Sequence, residues 1–128
     1  MRFAETDAMG VVHHGAYIIW FEAARVAWME AQGVPYAAFA KEGHNFAVTS
    51  VHADYRQSIR FGDGVRITTW VSEVRSRQVV FEYEIRRAQD DALAATGRTE
   101  LVCVDLDGRV SKIPQKTIDG LRRGTPAS

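Results

Sequence analysis

The chain has little of several features that mark particular classes of protein. It has one cysteine in 128 residues and three prolines. A single cysteine cannot form an internal disulfide, and no basic and apolar leader opens the sequence, so we expect a reducing, cytoplasmic compartment. Sixteen basic residues balance sixteen acidic ones, so no net field favours nucleic acid or an anionic membrane. The remaining composition, 46% hydrophobic and 25% charged, predicts one globular domain over residues 1–128.

The longest apolar segment, residues 16–32, is predicted to be a helix. It is too long for a strand, and Gly33 and Pro35 follow it as helix-stop signals. Its charged residues argue against a membrane span. Because polar residues are few, we expect most of its circumference to be buried, in part by a second copy of the chain. Within it, Glu22 and Arg25 stand three residues apart, a spacing that favours an ion pair.

The rest of the chain changes to a period of two. In residues 78–86, apolar and polar side chains alternate, which is typical of a half-buried strand. Short polar links separate the candidate strands, as antiparallel neighbours require. The fold class is therefore α+β, with one long helix and an antiparallel sheet of four or five strands. We predict strands at 46–60, 65–74, 78–86 and 92–106, a short helix at 35–42 and a terminal helix within 115–123.

The residues that carry chemistry come just before the long helix. Asp7, a turn at Gly10, a histidine pair and the helix start lie within about ten residues. The first turn of a helix has unpaired N–H groups and a partial positive charge, which suit an oxygen that becomes negative during acyl transfer. His14 and Gly15 would supply those N–H groups. A carboxylate beside them, from Asp7, would act as nucleophile or as general base on water.

These residues resemble a known family. Residues 6–17, with the Phe-Glu-Ala-Ala-Arg run at 21–25, are similar to the signature of hotdog-fold acyl-CoA thioesterases of the 4-hydroxybenzoyl-CoA thioesterase-like group, which includes the Tol-Pal-associated thioesterases. Residues 55–63 and 112–114 resemble later blocks of that family. The resemblance implies a hotdog fold, a helix wrapped by an antiparallel sheet. It also implies acyl-CoA hydrolysis, and a dimer or tetramer with sheets joined edge to edge and active sites at the subunit interface.

The resemblance also implies roles for single residues. The family's catalytic aspartate corresponds to Asp7, and its helix-start position corresponds to His14, whose side chain is also counted in the site of the Tol-Pal-associated branch. This chain departs from that branch at three positions. Phe3 and His13 stand where tyrosines are usual, and Ser58 stands where a proline is usual. The missing hydroxyls concern substrate choice more than the class of reaction.

Other candidate residues would bind the rest of the substrate. Arg75, Arg77 and Lys112 are candidates for the phosphates of coenzyme A, since Arg offers planar bidentate contacts; ordinary solvated surface charge is the alternative. No metal-ligand spacing is present, and we expect no metal or redox cofactor. The alternative function is a non-catalytic acyl-CoA-binding hotdog dimer, with a hotdog hydratase ranked last. Candidates for the acyl pocket are Tyr17, Phe21 and His13.

Overall fold

The computed structural model describes residues 14–57, 59–60 and 63–123, with the backbone alone for 14–16 and 18. It contains the predicted long helix, four strands and two short helices. The predicted α+β class is confirmed. The helices are α1 (His14–Ala31), α2 (Tyr36–Lys41) and α3 (Gln115–Arg123), and the strands are β1 (Asn45–Tyr55), β2 (Val65–Val74), β3 (Gln78–Arg87) and β4 (Leu93–Val104).

The four strands form one antiparallel sheet in the order β1-β4-β3-β2. Strands β2 to β4 lie within about two residues of their predicted bounds, but the prediction that the first strand extends to residue 60 is wrong. The strand ends at Tyr55. There the N–H groups of Arg56 and Gln57 both donate to the carbonyl of Ala94, at 2.8 and 3.2 Å. Because two successive residues share one acceptor, the regular pairing of β1 with β4 stops here and the chain turns away from the sheet.

Helix α1 packs on one face of the sheet. Phe21 is fully buried, and its ring stacks on Tyr83 with centroids 4.4 Å apart. About two turns further on, Trp28 meets Phe81 edge to face at 5.5 Å. The alternation predicted for β3 is confirmed, because its apolar members, including Ile85, are buried beneath the helix. Aromatic packing between α1 and β3 therefore forms the centre of the core.

The outer face of α1 is not covered in a single chain. Ile19 is 54% exposed and Val26 is 37% exposed, so burial of most of the helix circumference is not seen within one copy. The predicted ion pair between Glu22 and Arg25 is wrong: no ion pair of the described residues joins them, and Arg25 donates instead to the Tyr83 hydroxyl at 3.3 Å. In the described part of the chain, no helix is both long and apolar enough to cross a membrane.

Candidate functional site

The helix start lies where the sequence predicts it. His14 and Gly15 are the first two residues of α1, so their backbone N–H groups belong to the unpaired first turn. Asp7, His13 and Phe3 lie outside the described residues, as does Ser58. The oxyanion role of His14 and Gly15 stays a prediction, as do the roles of Asp7 and of the two histidine side chains.

Aromatic side chains surround the first turn of α1. Tyr17 is 2% exposed, and its ring lies 5.4 Å from Trp20 and 5.0 Å from Tyr55 between centroids. Burial, with a smaller effect of the neighbouring Tyr55, raises the pKa of Tyr17, so its phenol stays protonated at neutral pH. Tyr55, the last residue of β1, is 39% exposed. Sequence reasoning missed Tyr55 as a neighbour of the helix start, because only the register of the sheet brings it there.

Phe21, a predicted member of the acyl pocket, lies one turn deeper than Tyr17. Its ring is completely buried over Gly97 of β4. In a single chain this ring packs against the sheet, below the aromatic side chains that surround the first turn of α1. Its role in the pocket stays a prediction, as does that of Tyr17.

The predicted phosphate-binding residues come together on two adjacent segments. Arg75 and Arg77 belong to the turn between β2 and β3. The segment that carries Lys112 lies beside that turn, because the N–H of Ile113 donates to the carbonyl of Ser76 at 2.8 Å. The three cations are not equivalent. Arg75 is held by the carboxylate of Glu73, at 2.7 Å from Nε and 2.6 Å from Nη2.

Arg77 and Lys112 are the cations of this group that remain available. Both are exposed, and neither forms an ion pair with a described residue. We call these two residues the basic cluster.

The helix start and the basic cluster lie at opposite ends of the sheet. Tyr55, beside the helix start, pairs with Ala95. Gln78, next to Arg77, pairs with Val102, which pairs in turn with Ala47 of β1. The eight steps along the strand from residue 47 to residue 55 span about 26 Å at about 3.3 Å per residue. Within one chain, therefore, the structure does not bring the predicted phosphate-binding residues beside the predicted oxyanion site.

Strand β1 forms an open edge of the sheet. In the described part of the chain it pairs with β4 alone. Val48 is 47% exposed and Val51 is 41% exposed on this strand. An edge strand of 11 residues that pairs with no second described strand and carries exposed valines is suited to pairing with another strand.

The structure contains no alternative site for metal or thiol chemistry among the residues it describes. No group of three or more His, Cys, Asp or Glu side chains there is arranged to hold a metal ion. Cys103 of β4 is fully buried, and burial raises the pKa of its thiol. A neutral buried thiol is a poor nucleophile.

Comparisons with known proteins agree with these observations. The family described as "Thioesterase-like superfamily" matches residues 1–121. The putative acyl-CoA thioesterase YneP of Bacillus subtilis is 29% identical over 105 residues, which cover 82% of this chain and 75% of that protein. The hypothetical protein TT1821 of Thermus thermophilus has 35% identity and a TM-score of 0.90 over 99% of this chain and 94% of its own. The DHNA-CoA thioesterase of Staphylococcus aureus has 34% identity and a TM-score of 0.85, over 96% of this chain and 87% of its own. The hotdog fold is confirmed.

Proposed function

Because the chain belongs to the thioesterase-like superfamily, we propose that it is an acyl-CoA thioesterase, which hydrolyses an acyl-CoA to a free acid and coenzyme A. The observation that carries this proposal is the family match over residues 1–121, which include Asp7 and the start of α1. YneP of Bacillus subtilis, named a putative acyl-CoA thioesterase, supports the same substrate. We also propose a cytoplasmic location for the protein.

The proposed chemistry takes place at the start of α1. The carbonyl oxygen of the thioester accepts hydrogen bonds from the N–H groups of His14 and Gly15, which stabilise its developing negative charge. Asp7 either attacks the carbonyl carbon, forming an anhydride that water then hydrolyses, or takes a proton from the water that attacks. In both routes the carbon–sulfur bond breaks and coenzyme A leaves as a thiolate, which then takes up a proton. A thiolate is a good leaving group, so the reaction requires no metal or redox cofactor.

We further propose that the working site is shared between two copies of the chain. Antiparallel pairing of two β1 edges about a two-fold axis reverses the second sheet. The end of one sheet that carries the basic cluster then lies beside the end of the other that carries the helix start. The thioester would bind at His14 and Gly15 of one chain, and the phosphates of coenzyme A at Arg77 and Lys112 of the partner subunit. This arrangement overcomes the separation of about 26 Å within one sheet.

The first experiment measures thiol release from short aliphatic, long aliphatic and aromatic acyl-CoAs. We expect Asp7→Asn to lower kcat by at least about a hundredfold, because it removes the nucleophile or general base. Asp107→Asn is the matched control, since Asp107 is exposed and lies in the turn after β4. Absence of turnover for every acyl-CoA, or full activity of Asp7→Asn, would contradict the proposal. Binding of acyl-CoA without thiol release would identify a non-catalytic binding dimer.

Subunit complementation tests whether the site is shared. Asp7→Asn and the double variant Arg77→Glu/Lys112→Glu are each expected to be weakly active alone. After equal amounts are mixed and subunits exchange, half of the dimers are mixed, and each mixed dimer holds one intact shared site. We therefore expect about one quarter of the unaltered activity to return. A site built within a single chain would recover nothing, and that outcome would refute the shared arrangement.

A further inference from the structure

A cavity of about 320 Å³ lies between the end of α1, α2 and α3. It is lined by apolar side chains that include the buried Val34 and Phe39, and by charged side chains that include Glu42, Lys116 and Arg123. None of the described side chains at the helix start lines it. The thioester chemistry at the other end of α1 therefore leaves this cavity without a role.

Contacts of α3 with residues at the ends of α1 and α2 fix the shape of the cavity. Arg123 donates from Nη2 to the carbonyl of Gln32 at 2.8 Å, just after the end of α1, and Lys116 forms an ion pair with Glu42 after α2. Gly120 lies so close to Val34 that an added Cβ would stand 2.2 Å from Cγ1. Because α3 is tied to both other helices, the cavity is largely preformed, as small-molecule sites are.

The lining combines apolar contacts with charges of both signs. Val34, Pro35 and Phe39 offer apolar surface to a flat ring. The carboxylates of Glu42 and Asp119 have oxygens that can accept from an exocyclic amine beyond their present bonds to Lys116 and Gln115. The ammonium of Lys116 and the guanidinium of Arg123 likewise keep donors for an anion. An adenine ring with an attached phosphate has this combination of needs.

The cavity also lies where the proposed dimer would place the nucleotide. The ring of Phe39 is 4.6 Å from that of Phe46, so the cavity stands beside the start of β1. In the antiparallel pairing of two β1 edges, the start of one β1 lies beside the end of the other, where Tyr55 and Tyr17 mark the helix start. Lys112 of the basic cluster lies three residues before α3.

We propose that this cavity binds the adenosine and the 3′-phosphate of a coenzyme A whose 5′-diphosphate contacts the basic cluster of the same subunit and whose thioester is held at the helix start of the partner subunit. The inference rests on the proposed function and adds a binding site for the nucleotide to it. The adenosine end does not react, so its contacts would act on substrate binding. Losing them should raise KM and leave kcat nearly unchanged.

The test compares an acyl-CoA with the matching acyl-pantetheine, which lacks the nucleotide. Ala38→Trp fills the cavity from an exposed position of α2, and Ala37→Trp is the matched control, exposed on the same helix but outside the lining. We expect Ala38→Trp to raise KM for acyl-CoA at least about tenfold and to change kcat/KM for acyl-pantetheine less than about twofold. Ala37→Trp should change neither value by more than about twofold.

Direct titration of the unaltered protein with adenosine 3′,5′-bisphosphate gives a second readout that does not depend on the variants folding. We expect binding that competes with acyl-CoA and is weakened by Lys116→Ala. Failure of the bisphosphate to bind, or equal KM values for Ala38→Trp and the unaltered protein, would overturn the inference. Failure of the unaltered protein to hydrolyse any thioester would instead contradict the proposed function, and the titration would still test the cavity.

Discussion

Replacing Gly97 by alanine tests how closely α1 approaches the sheet. A Cβ at this position would lie 2.3 Å from Cζ and 2.4 Å from Cε2 of Phe21, whereas carbon atoms in contact stand about 3.5–4.0 Å apart. Neither residue is free to move away. Gly97 is paired on both sides, with Ala53 of β1 and Tyr83 of β3, and the Phe21 ring stacks on Tyr83 at 4.4 Å.

The size of the effect follows from this overlap. Overpacking a filled core costs about 1–3 kcal/mol, and an overlap greater than 1 Å places Gly97→Ala at the upper end of that range. Alanine restricts the unfolded chain and returns about 0.4–1 kcal/mol. We expect a net loss of about 2–2.6 kcal/mol in the free energy of unfolding. For a chain of this size that corresponds to a fall in Tm of roughly 8–10 °C.

Urea unfolding at a fixed protein concentration measures this loss. Gly64→Ala is the control, because among the described residues its added Cβ would meet only the Cβ of Ala88, at 3.2 Å, and a change below about 1 kcal/mol is expected. Combining Gly97→Ala with Phe21→Leu should cost less than the sum of the single changes, since a smaller side chain makes room. A Gly97→Ala protein as stable as the unaltered one, or strict additivity, would refute this account of the packing.

Two further predictions concern buried polar groups. Thr99→Val removes the hydrogen bond of 2.7 Å between the buried hydroxyls of Tyr83 and Thr99. We expect it to lower the free energy of unfolding by about 1–3 kcal/mol, measured with urea. The double variant Tyr83→Phe/Thr99→Val should lose less than the sum of its two single changes, and full additivity would argue against the hydrogen bond. The second prediction concerns Cys103. Burial raises the pKa of its thiol, so the folded state holds the proton more tightly than the unfolded state. The contribution of the protonated thiol to the free energy of unfolding is complete below about pH 8.5 and declines as pH rises through the pKa of the folded state. Cys103→Ala should flatten this decline, and iodoacetamide should label Cys103 only after unfolding; rapid labelling of the native protein would contradict its burial.

The elements predicted best are those with local signals. The end of α1 is marked by Gly33, whose φ of 77° is a conformation that suits glycine. The alternation along β3 locates its buried face, because side chains of a strand point alternately to opposite sides. Both signals depend on neighbours within the segment itself, so no tertiary information is needed to interpret them.

The predictions that failed depend on distant residues. The end of β1 is set by the carbonyl of Ala94 on another strand, which no pattern near residue 55 announces. The pairing of Glu22 with Arg25 had the right spacing on a helix, but Arg25 reaches the Tyr83 hydroxyl instead. Spacing along a helix indicates which side chains are within reach of each other, whereas the competing partner comes from the sheet beneath.

The sequence by itself determined the class of fold, the helix start at His14 and the family of this protein, since periodicity, capping residues and contiguous motifs are local. Only the tertiary structure decided where the substrate-binding groups lie relative to one another. Strand register places the basic cluster about 26 Å from the helix start, and the packing of α3 against α1 and α2 encloses a cavity from segments more than 70 residues apart. Pairing across a sheet and packing between helices join residues that are remote in the chain. In one copy these contacts hold the basic cluster away from the helix start, and in the proposed dimer the second copy brings the two groups together.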